Sequence, residues 1–277
     1  MNHQTGTLLS GNGKKLYTQC WLPDDEVRAV LLIAHGLGEH SNRYLPFVEY
    51  FTDKGYAVYA LDHEGHGRSE GQRGYVNRFD DFVTALDQFV DRAAKDLPGK
   101  KVFLVGHSMG GAISVNYLLK HQERLAGCLL SGAALSVGQV ISPIQQQVLK
   151  FFSVVCPKVP LIKLEGEAVS RDPEVVFAYE NDPLVYRGKA TARLLAEIVN
   201  AANRGLRRAS EITLPIFVMH GGGDLLASPD GSETLYERVS SSDKTLKVYD
   251  GLYHEIFLEE EKYEVFADIE NWLTDRE

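Results

Sequence analysis

The chain has 277 residues, 44% of them hydrophobic and 24% charged, with a formal net charge of −9. That length suits one large domain or a core carrying an insertion, and the acidic balance argues against nucleic acid and against charge-driven adhesion to anionic lipid, leaving an uncharged lipid surface open. Cys20, Cys128 and Cys156 are scattered without CxxC or CxxH spacing, which gives a zinc site little support, and no run of about 18 apolar residues or basic-then-apolar leader is present, so a cytoplasmic protein, at most peripheral to a membrane, is expected.

In chain order, residues 5–9 and 15–22 read as strands around the turn Gly11-Asn12-Gly13. Residues 27–34 form a continuous apolar strand, 43–54 a helix stopped by Gly55, and 56–61 another strand. Residues 79–96 are amphipathic, with Phe82, Val83, Leu86, Phe89, Val90 and Ala93 recurring at spacings of three and four. Residues 101–105 are a short buried strand and 111–121 a helix, and between them lies Gly106-His107-Ser108-Met109-Gly110. A G-x-S-x-G set from strand to helix is a nucleophile elbow, a turn so tight that side chains beside the Ser would clash. A strand near 127–131 follows, in which Cys128 reads as a core residue. Strands at 215–219 and 245–249 and a last helix at about 260–274 close the pattern. Unbroken apolar strands alternating with helices mean a mostly parallel sheet covered on both faces.

The alternation fails over residues 137–210, which are mostly helical in pattern. Val140, Ile141, Ile144, Val148, Phe151, Phe152 and Val155 share one stripe, continued by Val159, Leu161, Ile162 and Leu164. We read 1–136 and 211–277 as the core, and 137–210 as a helical cap over the strand ends where ligands bind in open α/β sheets, with a partly exposed apolar face.

An elbow Ser needs a base, and the base needs an acid, in the chain order Ser, Asp or Glu, His. After the 215–219 strand and the loop His220-Gly221-Gly222-Gly223 comes Asp224, with Asp230, Asp243 and Asp250 as rivals. Asp250 is too near His254 in the chain to come from a separate strand end, and Asp230 reads as a helix start after Pro229. His254 is the one histidine beyond Asp224. Ser108, His254 and Asp224 are thus the candidate nucleophile, base and acid. The oxyanion of an acyl-transfer intermediate needs backbone donors, expected from Met109, after the nucleophile, and from Leu37, between the glycines of His35-Gly36-Leu37-Gly38. The segment Asp62-His63-Glu64-Gly65-His66-Gly67-Arg68-Ser69 reads as a glycine-turned loop whose polar groups satisfy backbone behind the site rather than as a metal site.

Taken together, HGLGEHSNRY, LDHEGHGRSEG, GHSMGGAIS, NDPLV, HGGGD and DKTLKVYDGLYHE resemble monoacylglycerol lipases of the α/β-hydrolase superfamily, from about Leu31 to the C-terminus. The resemblance implies the α/β-hydrolase fold with a mobile amphipathic cap making transient contact with lipid surfaces. It also implies the triad and oxyanion donors already named, with Glu39 and Arg43 in the polar pocket for the glycerol head; the competing reading of that pair is a structural ion pair. Two departures stand out. Phe257 occupies the place of a second histidine in mammalian members, and Ala227 that of a cysteine. The expected activity is hydrolysis of monoacylglycerols through an acyl-enzyme, with no metal or organic cofactor. Lysophospholipase or broad carboxylesterase activity is the nearest alternative, and a non-catalytic receptor with a hydrolase fold the remote one. The oligomeric state is not legible.

Overall fold

The computed structural model describes residues 1–136, 142–163 and 166–277. Val140, Ile141 and Leu164 of the apolar stripe and patch, and the first residues of the cap as drawn from sequence, lie outside the described residues.

Eight strands form one sheet: β1 (Asn2–Leu9), β2 (Lys15–Leu22), β3 (Val30–Ala34), β4 (Ala57–Leu61), β5 (Val102–His107), β6 (Gly127–Ser131), β9 (Ile216–Gly221) and β10 (Lys244–Tyr249). Their spatial order is β1-β2-β4-β3-β5-β6-β9-β10, and β2 alone runs against its neighbours. The strands are apolar without alternation because both faces are covered. Leu31, Ile33, Phe103 and Val105 pack with α1 (Leu45–Asp53) and α8 (Lys262–Thr274) on one face. Val30, Leu32, Leu104 and Val218 pack with α2 (Phe79–Asp96) and α3 (Met109–His121) on the other. All six apolar positions read from the α2 periodicity are buried.

The helix expected over 43–54 begins later. Pro46 lacks an N–H and sits in the first turn of α1, where that donor is not needed. Ser41–Tyr44 form a 3-10 turn instead, and Arg43 lies on it.

Between β6 and β9 the described chain forms α4 (Pro143–Val155), the antiparallel ribbon of β7 (Pro160–Lys163) and β8 (Lys189–Thr191), α5 (Pro173–Asn181) and α6 (Ala192–Arg207). None of these joins the main sheet. The ribbon was not legible in the sequence, since each strand is short and Leu161 and Ile162 resemble a continuation of the helical stripe. A finer division also emerges. Leu194, Ile198, Ala201 and Leu206 of α6 belong to the main core, and Asn116 of α3 donates to the Ala201 carbonyl at 3.1 Å. Helix α4 instead rides on α6 through Leu149, Ala196 and Val199. Its other face carries Ile144, Val148, Phe151 and Val155, all exposed.

Strand β3 marks the switch point of the sheet, where the chain turns outward to β4 and then crosses back to β5. Loops leaving the C-terminal ends of β3 and β5 therefore meet in one crevice. Their distance is set by Gly110 in the first turn of α3, because a Cβ there would lie 1.9 Å from the Ala34 carbonyl oxygen. We expect Gly110→Ala to destabilise the protein by about 3 kcal/mol or more, as overpacking against backbone that cannot yield. A variant with a wild-type melting temperature would contradict this.

Candidate active site

Ser108 lies between β5 and α3 with φ 53° and ψ −118°, the one non-glycine at positive φ among the described residues. Such a conformation costs about 1–3 kcal/mol and persists only when the surroundings impose it. Here the Ser108 N–H donates to the Ser131 carbonyl at 3.0 Å, and its carbonyl accepts from Ala112 at 3.2 Å and Ala134 at 3.0 Å. The elbow is thus fixed by β6 and by its own helix, and the side chain is left at the helix N-terminus.

His254 and Asp224 follow the ends of β10 and β9. Gly221 closes β9 where a Cβ would lie 2.1 Å from the Tyr253 carbonyl, so glycine lets the His254 loop reach the Asp224 loop. His254 Nδ1–H donates to Asp224 Oδ2 at 2.6 Å. That leaves Nε2 for a proton in transit, and His254 lines one cavity with Ser108. The rivals of Asp224 are elsewhere: Asp243 holds Arg276 at 2.8 Å, and Asp230 opens α7 (Asp230–Arg238).

Asp224 is buried and fully engaged. Oδ1 accepts from the Leu226 and Ala227 N–H groups at 2.8 and 2.9 Å, and Oδ2 from His254 and from His220 Nε2 at 3.0 Å. Burial opposes its charge, but these donors, His220 and His254 first, hold its carboxyl well below the usual range. Burial likewise pulls the His254 imidazole down, yet the Asp224 carboxylate, helped by Glu255 and Glu39, leaves it raised above its ordinary value.

His220 is a residue the sequence reading passed over as part of a loop. It is instead the penultimate residue of β9 and is fully buried. Its Nε2–H is shared between Asp224 and the Ala227 carbonyl at 2.9 Å, so its Nδ1 accepts from Ser232 Oγ at 2.7 Å. A chain Ser232–His220–Asp224–His254 therefore ends beside Ser108. Nothing in its neighbours along the chain signals this role, because the contact forms only when the Asp224 loop folds back over the end of β9.

Leu37 follows β3 and lines the cavity that holds Ser108, while Met109 is the first residue of α3. Glu39, Arg43, Tyr44 and Glu255 form a buried cluster against the same cavity. Glu39 Oε1 accepts from the Gly36 N–H at 2.5 Å and from Tyr44 OH at 2.9 Å, and Oε2 lies 3.7 Å from Arg43 Nε. Arg43 Nη2 donates to Glu255 Oε2 at 2.5 Å. Burial, with the Glu255 carboxylate close by, pushes Glu39 up to about 7, although Arg43 pulls the other way. Glu255 was not singled out from sequence, because nothing along the chain signals that it shares Arg43 with Glu39. Phe257 packs against Phe47 and Phe266 and lines the edge of this cluster; Ala227 is buried beside Asp224.

The Asp62 loop lies behind the site. Asp62 Oδ1 accepts from the Ser41 N–H at 2.9 Å, and Oδ2 from the Arg68 N–H at 2.8 Å. His35 Nε2 accepts from the His63 N–H at 2.9 Å. Burial presses His35 and His66 down to about 3, so both are neutral. No group of three or more His, Cys, Asp or Glu side chains among the described residues could hold a metal.

The arrangement can run nucleophilic acyl transfer: a hydroxyl on a strained elbow and an imidazole held by a charged carboxylate line one cavity. The family described as "Serine aminopeptidase, S33" matches residues 25–261. The chain is similar to the monoacylglycerol lipase of Mycolicibacterium smegmatis, at 39% identity over 95% of this chain and 94% of that one. It is similar to the human monoglyceride lipase at 34% identity, covering 97% and 90% of the two chains. Among solved structures, the Paleococcus ferrophilus monoacylglycerol lipase superposes with a TM-score of 0.85 at 30% identity over 95% of this chain and 99% of that one.

Two expectations follow from this geometry. Ser108→Gly relieves the backbone strain and should abolish ester hydrolysis while raising stability by about 1 kcal/mol in denaturant titration. His220→Leu removes one donor from Asp224 and concentrates the remaining charge on His254. We expect kcat to fall about 10–100-fold and the acid limb of the pH–rate profile to move to higher pH, with His220→Gln recovering much of both. An unmoved acid limb in His220→Leu would reduce His220 to a packing residue.

Proposed function

The chain belongs to the monoacylglycerol lipase family of the α/β-hydrolase superfamily, and from that premise we propose that it cleaves monoacylglycerols to glycerol and free fatty acid. It is a hydrolase. The observation that carries the reading is one cavity lined by Ser108 and His254 and ending on the buried polar residues Glu39 and Glu255. In this reading the ester carbonyl meets the first pair and the hydroxylated alcohol the second.

In the proposed mechanism His254 Nε2 takes the proton of Ser108 as Oγ attacks the ester carbonyl. The N–H groups of Leu37 and Met109 donate to the oxyanion, each worth roughly 3–4 kcal/mol in the transition state. The bond to glycerol breaks, and His254 returns the proton to the leaving alkoxide. Water, deprotonated by the same imidazole, then splits the acyl-enzyme. Asp224 holds the tautomer with its proton on Nδ1 and stabilises the cation formed at each stage.

The segment 137–210 is the cap in this reading, resting on the core through α6. The exposed Ile144 (76%), Phe151 (60%), Val155 (59%) and Ile162 (52%) support transient contact with a lipid surface. No helix among the described residues is long and apolar enough to cross a membrane, so the contact proposed is peripheral.

Purified enzyme offered monoacylglycerol, lysophosphatidylcholine and p-nitrophenyl butyrate is expected to favour monoacylglycerol; equal kcat/KM on all three would replace the reading with a broad esterase. Ser108→Ala should lose about 10⁴-fold or more in kcat. The base must be neutral to work, and its pKa is raised. The rate should therefore fall with acidification at a midpoint above about 6.5, the ordinary imidazole value. Ile144→Asp with Phe151→Asp should weaken co-sedimentation with phosphatidylcholine vesicles, and unchanged sedimentation would remove the cap from the lipid contact.

A further inference from the structure

We infer that His35 is a positioning residue for the proposed reaction: its ring holds the Gly36 carbonyl behind the cavity and so aims the Leu37 N–H at the oxyanion. This rests on the acyl-transfer reading above, with Leu37 as a donor, and deepens it.

Leu37 belongs to the loop that meets the nucleophile. A Cβ on Gly36 would lie 3.0 Å from the Ser108 Cβ, and Leu37 lines the cavity with Ser108 and His254. An oxyanion donor works best when it is aimed before the charge develops. Gly36 leaves that aim open, because without a Cβ its backbone torsions are loosely specified. The Glu39 carboxylate accepts the Gly36 N–H at 2.5 Å, which fixes the peptide before Gly36. The peptide after it carries the Leu37 N–H and needs a restraint of its own.

His35 supplies it. Its ring is fully buried just past β3, and its two nitrogens have different tasks. The His63 N–H, beyond the end of β4, lies 2.9 Å from Nε2. A backbone N–H can only donate, so Nε2 accepts, and the proton of the neutral ring sits on Nδ1. Burial keeps the ring neutral, as an accepting Nε2 requires, by driving its pKa down to about 3. Nδ1–H then donates to the Gly36 carbonyl at 2.8 Å.

That bond sets the direction of the next donor. No peptide among the described residues is cis, and in a trans peptide the C=O and the following N–H point opposite ways. A Gly36 carbonyl drawn toward His35 therefore turns the Leu37 N–H away from it. His35 stacks on His63 and His66, with ring centroids at 4.4 and 5.3 Å, and is not among the residues lining the cavity. The side opposite His35 is the cavity that Leu37 lines. There the Leu37 N–H makes no hydrogen bond to another described residue. The Asp62 loop thus acquires a part in the site: its His63 N–H selects the His35 tautomer, and the tautomer orients the peptide.

The test separates the two nitrogens. In His35→Gln an amide oxygen can still accept from the His63 N–H, but no donor faces Gly36. In His35→Asn an amide N–H takes the place of Nδ1–H. The probe is 1,1,1-trifluorododecan-2-one, whose carbonyl carbon takes Ser108 Oγ while the C=O pair becomes an oxyanion and the Ser108 proton passes to His254. Dodecan-2-one is its unactivated control. Wild type should bind the trifluoro ketone about 100-fold more tightly, and His35→Gln should shrink that ratio about tenfold. On 1-decanoylglycerol, kcat should fall about 30-fold in His35→Gln with KM within about threefold, and His35→Asn should recover most of both losses. A ketone ratio unchanged in His35→Gln, or a loss as large in His35→Asn, makes His35 a packing residue and overturns the inference alone. Equal binding of the two ketones by wild type overturns the reading beneath it. Should His35→Gln fail to fold, wild type carrying ¹⁵N-histidine decides: the His35 proton belongs on Nδ1, and a proton on Nε2 would overturn the inference.

Discussion

The structure depends on one close approach. The first turn of α3 presses against the end of β3, with no room for a side chain at residue 110 before the Ala34 carbonyl. That contact sets the spacing between the β3 loop, which carries Leu37, and the elbow, which carries Ser108. Because the strand order reverses at β3, the crevice opens there. The strain at Ser108 is the local consequence. Hydrogen bonds from β6 and α3 hold a backbone conformation that serine would not adopt alone.

Two buried acidic centres then divide the electrostatic work. Asp224 is surrounded by four donors and stays charged, which lets it stabilise a cation on His254. Glu39 and Glu255 compete for one guanidinium, and burial leaves Glu39 reluctant to ionise. The first arrangement suits a base that must gain and lose a proton at each turnover. The second leaves carboxylate acceptor capacity unspent beside the nucleophile. The two centres meet in the chain at His254 and Glu255, the base that Asp224 holds and the carboxylate that Arg43 holds.

The segment between β6 and β9 is fastened at both sides of this crevice. The Tyr186 N–H donates to the Gly38 carbonyl at 2.7 Å, and His40 Nε2–H to Asp182 at 2.9 Å, beside the β3 loop. Glu259, fully buried, accepts from the N–H groups of Arg171 and Tyr253 at 3.1 and 3.0 Å, beside His254. The inserted segment therefore bears on the loops that carry Leu37 and His254, whereas Ile144, Val148, Phe151 and Val155 of α4 stand exposed.

Local pattern in the sequence determined the strands, the amphipathic α2, the elbow, and the order of Ser108, Asp224 and His254, because each follows from neighbouring residues: unbroken apolar runs, a period of 3.6, glycines flanking a serine. The late start of α1 was also readable in principle, since Pro46 dictates it. Only the tertiary structure decided what depends on distant chain segments meeting. It brought His220 under Asp224 by folding the Asp224 loop back over the end of β9, joined Glu255 to Glu39 across Arg43, and split the inserted segment into a core helix, a short ribbon and an exposed apolar face. A side chain's partner across the fold leaves no mark on its own neighbours in sequence, and for that reason the nucleophile was legible and the places of His220 and Glu255 were not.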